Sequence, residues 1–413
     1  MSAPTGRRGG PAAAAVGVST LLANILVYGV YLVLARVLSA PDLGAFAALG
    51  NLLVMASVPA LALQLVTARH VARAAPGGVV DEAASGLRTG VLVGLAATVL
   101  LLALSPVVTT VLDLPGPGPA VLLAGVVLPT YVTFAAQGAL QGAHRFAALG
   151  AVLVAVAGGR FAAAALGGTL GLGVSGVLAL TVTAAWATAV AALWPVRGSL
   201  GAAAGPVPLW TRSVVHGTAA TSALLVATNL DVPLARALLP ATTAGEYAVL
   251  AVLGKAAFWG PAFLATLFYP RMATATGRRT AVAAVGATAA TALVGVVAAW
   301  LLARPLVVAV GGSTYAHLTP LVPLLVASGA AWSVAQVLVY WRLSRGDHRL
   351  GWVVWGVAAV AIATVSVRHG TIAHIATVVL AGGLVVVAWG VTLLARARPS
   401  ERPVPDEEHA AQG

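Results

Sequence analysis

The sequence predicts an all-α polytopic membrane protein of about twelve transmembrane helices, built as two parallel-repeat six-helix bundles. Three observations predict it. Of 413 residues, 60% are hydrophobic and 8% charged, and the mean hydropathy is +0.97; a soluble domain of that length needs more polar surface than this. Apolar runs of roughly 20 residues, long enough to cross a hydrocarbon core, follow one another along the chain. The wording also repeats. Leu34-Ala35-Arg36-Val37-Leu38 with Gly44-Ala45-Phe46 returns as Leu234-Ala235-Arg236-Ala237-Leu238 with Gly245-Glu246-Tyr247. Pro59-Ala60 returns as Pro261-Ala262, Ala136-Gln137 as Ala335-Gln336, and His144-Arg145-Phe146 as His348-Arg349-Leu350.

Breaks in hydropathy place a cytoplasmic N-terminus at 1–13 and six spans near 14–36, 43–66, 88–110, 119–141, 149–168 and 172–194. A Gly/Pro-rich linker follows at 195–214, then spans near 215–239, 246–268, 280–303, 318–341, 351–367 and 372–395, and a disordered cytoplasmic tail at 396–413. The bundles are therefore 14–194 and 215–395. The first run exceeds a signal-peptide core and lacks a small-residue cleavage site, so it is expected to be a span. Gly158-Gly159-Arg160 interrupts the fifth span, and the eleventh is short. Six spans per copy start and end each repeat on the same membrane face, the parallel-repeat plan of many transporters.

The net charge of +12 is a topology signal. With the N-terminus inside, seventeen of the 23 basic residues fall in cytoplasmic segments and only Arg36, Arg236, Arg304 and Arg368 outside. Both termini are therefore expected in the cytoplasm of a plasma-membrane protein, and a nucleic-acid partner is excluded by this distribution. There are no cysteines, no Walker motif, no histidine pair at a metal spacing and no strand-turn-helix context for the glycine clusters, so neither an enzyme nor a cofactor is indicated.

Asn229-Leu230-Asp231-Val232, Ala244-Gly245-Glu246-Tyr247, Gly254-Lys255 and Tyr269-Pro270-Arg271 resemble the seventh and eighth spans of the Wzx-like oligosaccharide flippases, in the superfamily that includes the MATE multidrug exporters. Ala35 to Gly44 resembles their first external turn, and Gln137-Gly138 with Gln141-Gly142 and Arg145-Phe146 the end of their fourth span. The resemblance implies a V-shaped pair of bundles that carries a polyprenyl-diphosphate-linked glycan across the membrane by alternating access. Membrane lipid would be a partner, and a polysaccharide polymerase and glycosyltransferases would work beside it.

Such a substrate asks for polar stripes and a cation. Asn24, Tyr28 and Tyr31 fall at i, i+4, i+7 of the first span, and Thr218, Ser222 and Asn229 at i, i+4, i+11 of the seventh. Gln137 and Gln141 lie one turn apart, as do Trp332, Gln336 and Tyr340. The same side chains also serve interhelical bonding. Arg160 and Lys255 are cations inside spans, where a charge costs roughly 2.5–3.5 kcal/mol and calls for a partner or water. A guanidinium suits two diphosphate oxygens at once, which makes Arg160 a substrate ligand or half of a buried pair. Asp231, the one carboxylate well inside a span, is the candidate for ion coupling or gating. It lies about as far before the turn at Thr242-Thr243 as Lys255 lies after it, so the two are expected at one depth and paired. A multidrug/cation antiporter, a membrane-embedded glycosyltransferase and a non-transporting scaffold are the rival readings. The first two want more carboxylates than this.

Overall fold

A computed structural model describes residues 10–75, 77–202, 221–272, 277–368 and 370–396. The chain divides into two compact units, Met1–Val214 and Val215–Gly413. Every regular element among the described residues is helical.

In the first unit α1 runs Gly10–Val37, α2 Ala40–Ala56, α3 Val58–Arg73, α4 Val79–Ala103, α5 Ser105–Val111, α6 Gly118–Gly142, α7 Phe146–Thr169 and α8 Gly173–Leu193. Ser39 caps α2, accepting from the Asp42 amide at 3.3 Å while its hydroxyl donates to the Asp42 carboxylate at 2.9 Å. The second span bends between α2 and α3 because Pro59 has no amide proton to continue the ladder. The centre of this unit is α6, which packs against α3, α4 and α8, while α1 lies along α7. Close approach depends on missing side chains: a Cβ at Gly138 would meet the Gln64 carbonyl oxygen at 2.5 Å, and one at Gly142 the Ala68 carbonyl oxygen at 2.4 Å.

In the second unit residues 221–227 are the described part of α9, followed by α10 Asp231–Leu238, α11 Ala241–Met272, α12 Gly277–Leu301, α13 Ala303–Gly311, α14 Val322–Leu343, α15 Arg349–Val367 and α16 Ile372–Arg396. The central helix is α14, packed on α11, α12 and α16. The repeat seen in the sequence thus corresponds to a repeat of architecture. In its most apolar stretch α6 is 72% buried and the α14 span 78%, against at most 44% for the other crossing helices described, so equivalent spans form both cores.

Ten helices among the described residues are long and apolar enough to cross a membrane, and they coincide with ten of the twelve expected spans. The eighth expected span lies within α11, and the seventh begins outside the described residues, as do Thr218, the 203–214 part of the linker and the tail beyond Arg396. Three boundaries differ from expectation. The third span starts at Val79, so Arg88 lies inside α4; Gly158-Gly159-Arg160 does not interrupt α7; and the linker opens with a 3₁₀ helix, Trp194–Ser199. Glycine in a helix costs only about 1 kcal/mol, which packing between α7 and its neighbours α1 and α8 outweighs.

The seventh span is not continuous. Helical structure stops at Ala227, turns through Thr228-Asn229-Leu230 and resumes at Asp231. Pro233 accounts for the break: four residues downstream of Asn229, it cannot donate to the Asn229 carbonyl and its ring crowds it. The first repeat supplies the control, for the position matching Pro233 is Val33 and α1 passes through it unbroken.

Candidate functional sites, one in each bundle

The break leaves backbone carbonyls inside a membrane span, where each must find a donor. Lys255, one helix away on α11, donates to the Thr228 carbonyl at 2.8 Å and to Asn229 Oδ1 at 3.1 Å. Its ammonium also lies 3.8 Å from Asp231 Oδ1. The other carboxylate oxygen, Oδ2, accepts from the Tyr247 hydroxyl at 3.0 Å. Asp231 and Lys255 therefore meet at one depth, as counting along the hairpin predicts, and the pair closes over the gap in the seventh span. Placing the ammonium at the C-terminal end of α9 and the carboxylate in the first turn of α10 sets each charge at the helix pole that favours it.

The same geometry removes Asn229 from a helical stripe. Its amide donates to the Leu225 carbonyl at 2.8 Å and its oxygen is taken by Lys255, so it serves the break itself. Ser222 is half-buried on α9. Gln336 is buried on α14 and donates to the Tyr340 hydroxyl at 3.4 Å, while Trp332 donates to the Val379 carbonyl of α16 at 3.0 Å. The α14 stripe is thus largely spent within the bundle. Gln336 Oε1 is the exception, buried with no hydrogen-bond partner among the described residues.

In the first bundle Gln141 accepts from Gln64 of α3 at 3.2 Å and is an interhelical bond, whereas Gln137, one turn earlier, faces a cavity. That cavity, of about 40 Å³, is lined by Thr130, Thr133 and Gln137 of α6, Arg160 of α7 and Thr188 of α8. It has room for water and none for a sugar ring. Pro129, inside α6, opens onto the same space. Arg160 makes no salt bridge to a carboxylate among the described residues; its guanidinium lies within electrostatic reach of the Tyr31 hydroxyl. Tyr31 meets Phe46 edge-on, with ring centroids 6.3 Å apart. The Tyr28 hydroxyl is buried with no hydrogen-bond partner among the described residues. Asn24, one turn before Tyr28 on α1, is exposed, whereas the two tyrosines are half-buried.

Aligning the repeats sets the partners of the two cations against each other. Tyr31 matches Asp231 and Phe46 matches Tyr247, and each matched pair is in contact, as an edge-on ring pair in one bundle and a hydrogen bond in the other. A cation approaches the first member of each pair, from α7 in one bundle and from α11 in the other.

The architecture has known counterparts. An inward-facing multidrug resistance MATE family transporter of the MOP superfamily superposes with a TM-score of 0.71 at 13% identity, over 91% of this chain and 94% of that one. The lipid II flippase MurJ, in an inward closed conformation, gives 0.72 at 9% identity over 92% and 87%. The fold is MATE-like. A MOP superfamily transporter from Pyrococcus furiosus, described as having a binding pocket of reversed polarity, gives 0.56 at 14% identity over 93% and 95%. No family model and no curated protein matches the sequence, so what is shared with these structures is the MATE-like fold itself.

Tyr247, Thr130, Thr133 and Thr188 belong to these two centres, and periodicity does not single them out. Tyr247 is visible in the sequence as the repeat partner of Phe46 and as the end of the Ala244-Gly245-Glu246-Tyr247 segment, and neither reading gives it a site role. The threonines bond the preceding turn of their own helices, as Thr133 does to the Pro129 carbonyl at 2.8 Å, which is how a hydroxyl passes unnoticed in an apolar span.

Proposed function

We propose that the chain is a transporter that carries a polyprenyl-diphosphate-linked oligosaccharide across the plasma membrane by alternating access, with both termini in the cytoplasm. The observation that carries this reading is Arg160, a cation inside a span facing a cavity shared with Thr130, Thr133, Gln137 and Thr188, with no carboxylate to neutralise it among the described residues. A charge so placed favours an anion, and a guanidinium offers a diphosphate two parallel hydrogen bonds. Gln137 supplies an amide in the same cavity and Tyr31 a phenol within electrostatic reach, and the helices must part to admit the phosphate, as alternating access requires. Lys255 is engaged by Asp231 in this conformation, so its contact with substrate waits on protonation of Asp231, which gives that carboxylate the coupling role. The likeness to a lipid II flippase agrees with a lipid-linked substrate. A polymerase and glycosyltransferases are the expected co-workers.

Export of multidrug cations is the second reading, on the likeness to MATE multidrug transporters. It is disfavoured because Asp231, the carboxylate it would use, already holds a lysine. The test is the thermal stability of the purified protein with added polyprenyl diphosphate or ethidium. Stabilisation by the diphosphate, lost in Arg160→Gln, is expected. Stabilisation by ethidium alone would reverse the assignment.

A further inference from the structure

The first bundle carries a groove of about 670 Å³ on its flank, within the size range of ligand sites. Its floor is α6, through Leu128 and Val132. One wall is α4, where Ala84, Leu87 and Val91 fall at i, i+3, i+7. The other is α8, where Trp186, Val190 and Leu193 fall at i, i+4, i+7. Both walls pack on α6, and the 3₁₀ helix after α8 packs across all three, closing one end with Ser199 and Leu200.

That closed end is basic and aromatic. Arg88 lines the groove itself. Arg197, on the closing turn, stacks over Trp194 at 4.5 Å, and Arg145 donates to the Pro195 carbonyl and so ties the turn to the end of α6. An apolar slot ending in arginine and tryptophan has the lengthwise profile of a phospholipid, with hydrocarbon in the slot, phosphate at the guanidinium and aromatic rings at the headgroup level.

Length selects among lipids. Beyond Arg88 the slot follows α4 to Leu92 for about 6 Å and α8 from Leu193 back to Trp186 for about 10 Å, within a single leaflet of about 15 Å. That suits one acyl chain and is short for a polyprenyl tail. We propose that this groove is a binding site for an anionic phospholipid, one acyl chain lying between α4 and α8 and the phosphate against Arg88. The inference is independent of what the protein transports.

Native mass spectrometry of the full chain released from vesicles of equal parts phosphatidylglycerol and phosphatidylcholine, with identical acyl chains, tests it. The expected result is retained phosphatidylglycerol in preference to phosphatidylcholine. Arg88→Gln should lower that preference roughly fivefold, the effect of one basic residue at an anionic surface. Val190→Trp, at a position 66% exposed and therefore tolerant of bulk, should reduce retention of both lipids by filling the slot. Equal retention of the two lipids, or retention untouched by Val190→Trp, would overturn the proposal. So would displacement of phosphatidylglycerol by undecaprenyl phosphate at equal concentration.

Discussion

Replacing Asp231 by Asn and Lys255 by Gln, singly and together, measures the pair that closes the seventh span. At 3.8 Å and an effective dielectric near 20, the attraction is about 4 kcal/mol. The side chains are only 21% (Lys255) and 12% (Asp231) exposed, so most of the hydration that would compensate a lost partner is absent. Removing one charge strands the other, at a cost of roughly 3 kcal/mol in either single variant. Removing both leaves two neutral amides that still hydrogen-bond across the break, for about 2 kcal/mol in total, so the coupling energy is again about 4 kcal/mol. Thermal unfolding in detergent reads this out. Each single variant should melt about 6–12 °C below the parent, for a unit of this size, and the double variant above either single. A double variant that loses the sum of the two single effects would refute the pairing and return Lys255 to the status of an independent cation.

The crossing of α11 and α14 depends on Gly254 and Gly329. A Cβ at Gly329 would lie 1.8 Å from the Gly254 carbonyl oxygen, so Gly329→Ala should destabilise by about 1–3 kcal/mol, while Gly356→Ala, with nothing within 4 Å, should be neutral or stabilising by up to about 1 kcal/mol; melting temperatures separate the two. Gln141→Leu should cost about 1 kcal/mol of stability by stranding Gln64, with transport otherwise preserved. Because the chain has no cysteine, Thr242→Cys and Gly198→Cys report orientation directly: an impermeant maleimide should label Thr242→Cys in intact cells and Gly198→Cys only after permeabilisation. The reverse pattern would invert the topology.

What is legible in the sequence follows from what is local. Span positions depend on hydropathy alone, and ten of them coincide with helices. The depth of Asp231 and Lys255 depends on counting along one hairpin, so their meeting is foreseeable. The break that gives the pair its purpose is also written locally, in Pro233, but an apolar count tolerates a proline and treats 215–239 as one helix. Contacts between distant elements are not legible. That Arg160 approaches Tyr31 depends on α1 lying along α7, and that Gln141 serves structure while Gln137 faces a cavity depends on how α3 and α8 flank α6. Adjacent turns of one stripe carry the same sequence pattern whichever neighbour they face. The repeat is the strongest long-range signal, since it sets Phe46 against Tyr247, and the structure pairs each with matching residues of its own bundle.

The most direct measurement of the central claim is the movement of a fluorescent polyprenyl-diphosphate oligosaccharide between leaflets of proteoliposomes, followed by quenching from outside. The protein should accelerate the loss of protected fluorescence, Arg160→Gln should abolish the acceleration without lowering the melting temperature, and Arg160→Lys should restore part of it, because an ammonium keeps the charge and loses the bidentate geometry. No acceleration by the parent protein, together with proton-driven uptake of ethidium in the same vesicles, would contradict it.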